Sequence, residues 1–172
     1  MIDLVDDMKR RARALHRGAR TGDGESLARL RVLPELAALD DSTLAASAKR
    51  RHALAAVARQ LGFAGWPALK ACLRGEPVAD RGTFMHRESG GAYWNIWSAH
   101  YDEAARIRAD HGGWLLGYRH QFLVVEAPFL EHLGLDPLDP DWDRMSRDWV
   151  APSDRAAWAR ITQRALHARL DA

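Results

Sequence analysis

The chain has 172 residues, 47% of them hydrophobic and 28% charged, so it can bury a core and is too apolar to be disordered. Its one cysteine, Cys72, excludes an intrachain disulfide and a cysteine-clustered zinc site. No apolar run reaches the roughly 18 residues of a membrane helix, and the start MIDLVDDMKRR lacks the apolar core of a signal peptide. We therefore expect a cytoplasmic protein with no membrane partner.

The net charge of +2 conceals an uneven distribution of charge along the chain. Residues 1–75 carry 14 Lys and Arg against eight Asp and Glu, whereas residues 76–172 carry 11 against 15. A basic half can bind nucleic acid or an acidic partner. It can equally dock on the acidic half of its own chain, or on that of a second copy to give a homodimer. We favour a solvated face or internal docking, which leaves nucleic acid as the less favoured partner.

Residues 1–75 predict a basic helical module. Apolar residues at three- and four-residue steps predict a helix over residues 2–20, and shorter apolar patterns predict a helix over residues 25–32 and a long one over residues 43–61. Gly62 is placed to end the long helix, and a last short helix carries Pro67 in its first turn and ends at Gly75. The first helix has an apolar stripe made of Leu4, Met8, Ala12, Leu15 and Ala19.

The stretch HALAAVARQLGFAGWPALKACL resembles a helical module that occurs near ankyrin-type repeats in bacterial proteins and has an "aRxLGFxxWpaLK" core. That core is found here in residues 58–63 and 66–70, and no ankyrin repeats follow it. The resemblance implies a packing module and carries over no catalytic residue. In such a module we expect Trp66 to be buried as the anchor of a helical hairpin.

The same stretch fits a helix-turn-helix as an alternative. Gly62 occupies the turn, apolar residues flank it, and basic residues surround it. The second helix fits less well, because Ala68, Lys70 and Arg74 offer few groups able to read bases. A structural hairpin explains the same residues, and we favour it.

The composition changes after Gly75. Residues 76–91 are rich in Gly and polar residues and predict a linker, and residues 92–172 predict an aromatic-rich second domain that holds six of the seven tryptophans. The pattern there predicts a helix over residues 101–110, a strand within WLLGYRHQFLVVE, a short helix from Pro128 and a final amphipathic helix capped by Ser153. From GGWLLGYRHQFLVVEAPFLEHLGLDPLDPDW onward, this half is similar to an uncharacterised bacterial family, which implies a shared domain and no activity.

Aromatic and polar side chains cluster in two segments of the second domain. Large flat rings with a few polar groups are the make-up of a ligand pocket, although a Trp-rich core is the alternative explanation. We expect the two segments to face each other, with His120 inside the pocket beside Trp94 and Trp97, and with Arg119 outside in an ion pair. The candidate ligand-binding residues are Tyr93, Trp94, Asn95, Trp97, His100, Tyr101, Tyr118 and His120.

Other chemistry finds little support in the sequence. His86, His100, His111 and His120 are not at the i, i+4 spacing of paired metal ligands, so we expect no metal and no cofactor. Motifs for nucleophilic catalysis and for phosphate loops are absent, so we assign no catalytic residue. An enzyme that uses His100 or His120 as acid or base stays open.

Together these patterns predict an α+β fold that is predominantly helical, with an N-terminal helical module and a small C-terminal sheet wrapped by helices. The predicted function is non-catalytic binding of a small molecule or a protein partner through the aromatic pocket, with the N-terminal module as a docking surface. The alternatives are a helix-turn-helix regulator that senses a ligand, and a small histidine-dependent enzyme.

Overall fold

A computed structural model of the chain describes residues 2–86 and 93–171. It is 57% helical, with one small antiparallel sheet, which confirms the predicted α+β class. The chain divides into two compact units, Asp3–Val78 (the N-terminal unit) and Met1–Ile2 with Ala79–Ala172 (the C-terminal unit). Of the predicted linker, residues 87–91 lie outside the described residues. No helix in the described part of the chain is both long and apolar enough to cross a bilayer.

Helices alone make up the regular structure of the N-terminal unit. They are α1 (Leu4–Arg20), α2 (Gly24–Leu30), α3 (Pro34–Ala37), α4 (Asp41–Ser47), α5 (Arg50–Gln60) and α6 (Trp66–Arg74). The whole apolar stripe of α1 is buried. Its periodicity places the apolar side chains on one face of the helix, and burial of that face removes them from water. The Asp3 carboxylate caps α1 by accepting a hydrogen bond from the Asp6 amide, and Gly75 ends α6 with φ of 68°.

The predicted helix over residues 43–61 is in fact two helices. The chain leaves helical geometry at Ala48 and Lys49, whose backbones are extended. The Ala48 carbonyl, which a continuous helix would have bonded internally, instead accepts a hydrogen bond from His16 Nε2 at 3.2 Å. The break is therefore satisfied by a contact with α1, which local propensity cannot signal.

Trp66 departs from the expected burial. It is the first residue of α6 and is only half-buried, whereas Phe63 and Leu69 on either side of it are fully buried. Phe63 and Leu69 are therefore core residues of this hairpin, and Trp66 keeps part of its surface accessible to solvent.

The C-terminal unit combines three strands with four helices among its described residues. They are β1 (Asn95–Ser98), α7 (Tyr101–His111), β2 (Trp114–Tyr118), β3 (Gln121–Val125), α8 (Ala127–His132), α9 (Pro140–Arg144) and α10 (Arg155–Leu170). The strand order is β1-β3-β2, with both pairs antiparallel. The predicted single strand is thus a hairpin, β2 and β3, and β1 pairs with its second strand. Asp154, and not Ser153, accepts the hydrogen bonds that cap α10.

The register of the sheet decides which side chains share a face. Trp97 lies opposite Leu123, which also lies opposite Leu116, so these residues point to one face together with Tyr118. The other face carries Leu115, Phe122 and Val124, on which α7 packs through Ala104. The sheet therefore separates two aromatic environments.

Candidate functional site

Four aromatic side chains meet on the face of the sheet that carries Trp97. The ring of His86 lies 5.4 Å from that of Trp97, 5.1 Å from Tyr118 and 5.8 Å from Phe129, measured between centroids. Trp97 and Tyr118 also contact each other edge to face at 5.4 Å. We call His86, Trp97, Tyr118 and Phe129 the aromatic cluster. Its tilted and edge-to-face geometries are those that aromatic quadrupoles prefer.

A two-residue turn, Arg119 and His120, joins β2 to β3 beside this cluster. Arg119 has φ of 47°, a positive value of the kind that both common two-residue hairpin turns require at their first loop position, where Gly is the residue that fits best. Two backbone hydrogen bonds fix it: the Arg119 amide donates to the Gly82 carbonyl at 2.8 Å, and the Arg81 amide donates to the Arg119 carbonyl at 3.0 Å. The turn is thus clamped to residues 81–82, and the position of Arg119 is set by the backbone.

A cleft of about 160 Å³ opens beside the turn. It is lined by Thr83, His86, Tyr118, Arg119 and Arg169, and we call it the hairpin cleft. Arg169 comes from the last turn of α10, where a cation is favoured by the helix dipole. Neither Arg119 nor Arg169 forms an ion pair with any described residue. The cleft therefore has aromatic walls and two guanidinium groups that form no ion pair within the described part of the chain.

His86 belongs to both the aromatic cluster and the cleft. Burial lowers the pKa of its imidazole below the usual value, and the nearby His132 lowers it further. Near neutral pH the ring is consequently uncharged, so it can act as a hydrogen-bond partner and an apolar wall. The positive charge of the cleft then comes from the two arginines.

Part of the predicted ligand site is brought together on this face. Trp97 and Tyr118 belong to the aromatic cluster, and the Asn95 side chain accepts a hydrogen bond from Trp97 Nε1 at 2.7 Å. Tyr93 packs on His132, with 5.0 Å between ring centroids. Trp94 is 45% exposed.

Two other predicted residues are not at this site. Tyr101 packs edge-on against Phe122 on the opposite face of the sheet and donates its hydroxyl hydrogen to Asp148 at 2.8 Å. Burial, with help from that hydrogen bond, raises the pKa of Tyr101 to about 12, so the hydroxyl keeps its proton. His100 is the exposed N-cap residue of α7.

The expected arrangement of Arg119 and His120 is wrong. Both side chains are exposed because both residues belong to the turn, where the alternation of a strand does not apply. His120 lies outside the aromatic cluster, and its Nδ1 is 3.1 Å from the Ala79 carbonyl oxygen. Arg119 has no ion pair among the described residues and lines the cleft itself.

Sequence reasoning did not assign His86, Phe129 or Arg169 to the ligand site. His86 falls within the predicted linker, and Arg169 lies 50 residues beyond the turn, so neither shares a local pattern with the strands. The sequence signal was the excess of histidine and aromatic residues after Gly75. It indicates which part of the chain holds the site, but it does not give the positions of the side chains.

The remaining predictions concern metals and the helix-turn-helix. The described residues contain no group of three or more His, Cys, Asp or Glu side chains able to hold a metal ion.

In the N-terminal unit α5 and α6 are joined by residues 61–65, with Gly62 at φ of 84°. Pro67 and Arg74 are exposed on α6, and Lys70 is half-buried.

Comparisons with protein-family models, with curated proteins and with solved structures find no match for this chain. The class that the geometry itself defines is a two-unit helical protein with a small sheet and a cationic, aromatic-walled cleft.

Proposed function

We propose that the C-terminal unit is a non-catalytic binding module whose hairpin cleft takes a small organic anion. The observation that carries this proposal is that two guanidinium groups, those of Arg119 and Arg169, share one cleft with the rings of His86 and Tyr118. Guanidinium groups favour planar carboxylate ligands, and aromatic walls favour an apolar or aromatic body.

The size of the cleft limits the ligand. Small-molecule pockets usually measure about 300–1,000 Å³, and this one measures about 160 Å³. A carboxylate on a short chain or a single ring suits it better than a nucleotide. An acidic side chain of a protein partner offers the same chemistry, and it is the alternative occupant.

Binding without a reaction is favoured by what lines the cleft. The described residues that line the cleft include no carboxylate and no thiol, so His86 has no acidic group among them to orient it as a general base. The imidazole instead packs against three other rings. This arrangement is suited to shape and charge recognition.

The test is a calorimetric titration of the full chain with benzoate, acetate and benzyl alcohol. We expect benzoate to bind more tightly than acetate and the uncharged alcohol not to bind. R119A and R169A should each weaken benzoate binding by about tenfold or more, since a hydrogen bond to a charged group contributes about 1.5–3 kcal/mol.

R106A is the matched control, because Arg106 is an exposed arginine of α7 outside the cleft, and its side chain donates a hydrogen bond to the Asp102 carbonyl. It should bind benzoate like the parent chain. Equal affinities in R119A, R169A and the parent would refute the proposed site, as would equal binding of benzoate and benzyl alcohol.

A further inference from the structure

A second cationic cleft lies in the N-terminal unit, and the proposed function does not use it. It measures about 460 Å³ and is lined by Arg10, Arg13, His16, Arg17 and Arg50, which we call the arginine cleft. Its volume is within the range of about 300–1,000 Å³ typical of small-molecule sites. The five lining side chains offer four guanidinium groups and one imidazole.

Helix geometry brings these side chains together. Arg10, Arg13 and Arg17 follow at steps of three and four residues, which places them on one face of α1 over about 10 Å of helix. The hydrogen bond from His16 Nε2 to the Ala48 carbonyl holds this face beside the start of α5. Arg50, the first residue of α5, completes the cleft.

The charges of the cleft are poorly compensated. Arg10 pairs with Asp7 at 3.1 Å and with Asp6 at 3.5 Å. Arg13, Arg17 and Arg50 form no ion pair with any described residue. The first turn of α5 has no acidic residue and places Arg50 at the positive end of its helix dipole, where a cation is unfavourable. A bound anion would relieve this repulsion.

We propose that the arginine cleft binds the phosphate chain of a small polyphosphate, such as inorganic tripolyphosphate or a nucleoside triphosphate. Arginine recognises phosphate through paired hydrogen bonds, and four guanidinium groups match a ligand with several negative charges. The residues that line the cleft include no Phe, Tyr or Trp, and the His16 imidazole is held by its hydrogen bond to the Ala48 carbonyl, so the cleft has no large ring on which a base could stack. Recognition is of the phosphates alone.

The surroundings favour a compact anion over a nucleic acid. Carboxylates flank the basic stretch of α1: Asp6 and Asp7 lie at one end, and Asp23 lies beside Gly18 at the other. A duplex carries one negative charge per roughly 1.7 Å and would run past these carboxylates. The arginines between these carboxylates suit a short polyanion such as tripolyphosphate.

The test is a titration of the full chain with tripolyphosphate, orthophosphate, ATP and adenosine at physiological salt. We expect tripolyphosphate and ATP to bind with similar affinity, orthophosphate at least tenfold more weakly, and adenosine not at all. R13Q and R17Q should each weaken tripolyphosphate binding by about tenfold and keep the helix, because Gln has a similar helix propensity.

R59Q is the matched control, since Arg59 is an exposed arginine of α5 that is not part of the cleft. It should bind tripolyphosphate like the parent chain. Equal affinity for tripolyphosphate and orthophosphate, or unchanged binding in R13Q and R17Q, would overturn the proposal. So would submicromolar binding of a 20-base-pair duplex at the same salt that is lost in R13Q and R17Q, which would make the cleft a nucleic-acid surface.

Discussion

Arg119 occupies a position that favours glycine, and it does so at the mouth of the hairpin cleft. A left-handed backbone costs a residue with a Cβ about 1–2 kcal/mol, and the clamp on residues 81–82 holds the turn in place. A strained backbone at one arginine is consistent with a functional role for its guanidinium group. Selection for stability alone would therefore not place an arginine at this position.

The first prediction separates the two roles of Arg119. R119G should be more stable than R119A by about 1 kcal/mol, because only glycine relieves the positive φ. Both variants should lose benzoate affinity to the same extent, since both remove the guanidinium. Chemical denaturation and calorimetry on the two proteins measure this. Equal stability of R119G and R119A would mean that the turn stores no strain.

Protonation of His86 makes the stability of the folded chain depend on pH. Burial lowers the pKa of His86 in the folded chain, whereas in the unfolded chain it is near 6.5. The unfolded chain therefore binds more protons as the pH falls below about 6.5, and acid favours unfolding. The stabilising contribution is present above that pH and is lost as the pH falls through the folded pKa.

The corresponding prediction uses H86F, which keeps an aromatic ring and removes the titration. Its free energy of unfolding should fall less between pH 7 and pH 5 than that of the parent chain. Y118F is the control, because it changes a ring that contacts His86 and leaves the imidazole in place. A parent-like pH dependence in H86F would show that His86 is not a protonation site linked to folding.

At the scale of elements, α9 is too short to be stable by itself. It has five residues, and isolated helices need roughly 12–15 to form in water. Asp141 of α9 is buried and accepts two hydrogen bonds from Arg160 of α10, at 2.7 Å from Nε and 2.6 Å from Nη2. Arg164 adds a contact with Asp139. This paired geometry fixes α9 on α10.

D141N should therefore destabilise the protein by about 2 kcal/mol at pH 7, because it leaves the Arg160 guanidinium without its bidentate partner. The hydrogen bond from Arg160 lowers the pKa of Asp141, so its contribution is present above about pH 4 and is lost as the pH falls through the folded pKa. Denaturation curves of parent and variant should converge in that acid range.

D143N is the control for this pair. Asp143 is also in α9 and also bonds an arginine, Arg147, at 2.8 Å, but the Asp143 side chain is 71% exposed. Exposed pairs contribute little, so a change within about 0.5 kcal/mol is expected. A loss as large as that of D141N would mean that burial is not what gives the Asp141 pair its strength.

How well the sequence predicts the structure also differs from one element to the next. The apolar stripe of α1 and the Pro67 and Gly75 boundaries of α6 follow from local periodicity and capping, and the structure confirms them. The break at Ala48 does not follow, since its carbonyl is satisfied by His16, 32 residues earlier. The turn at Arg119 was missed for a similar reason: neither of its residues is a usual turn former, and a clamp from residues 81–82 holds it.

At the scale of the whole molecule, the candidate site was only partly predictable. Trp97 and Tyr118 were found because aromatic residues are concentrated in their segments, but placing His86 and Arg169 beside them requires the tertiary fold. The arrangement of charges was likewise only partly predictable. The excess of Arg and Lys in residues 1–75 indicates a basic unit, whereas only helix packing shows that four arginines share one cleft.

The distribution of tryptophan gives the molecule its own optical labels. Trp149 and Trp158 stack in the C-terminal unit with ring centroids 5.8 Å apart and an interplanar angle of 30°, and each indole N–H donates a buried hydrogen bond. Two indoles this close couple their excited states, so their near-ultraviolet circular dichroism reports on that contact. The N-terminal unit has a single tryptophan, Trp66. The circular dichroism of the stacked pair can thus follow the unfolding of the C-terminal unit without a foreign dye.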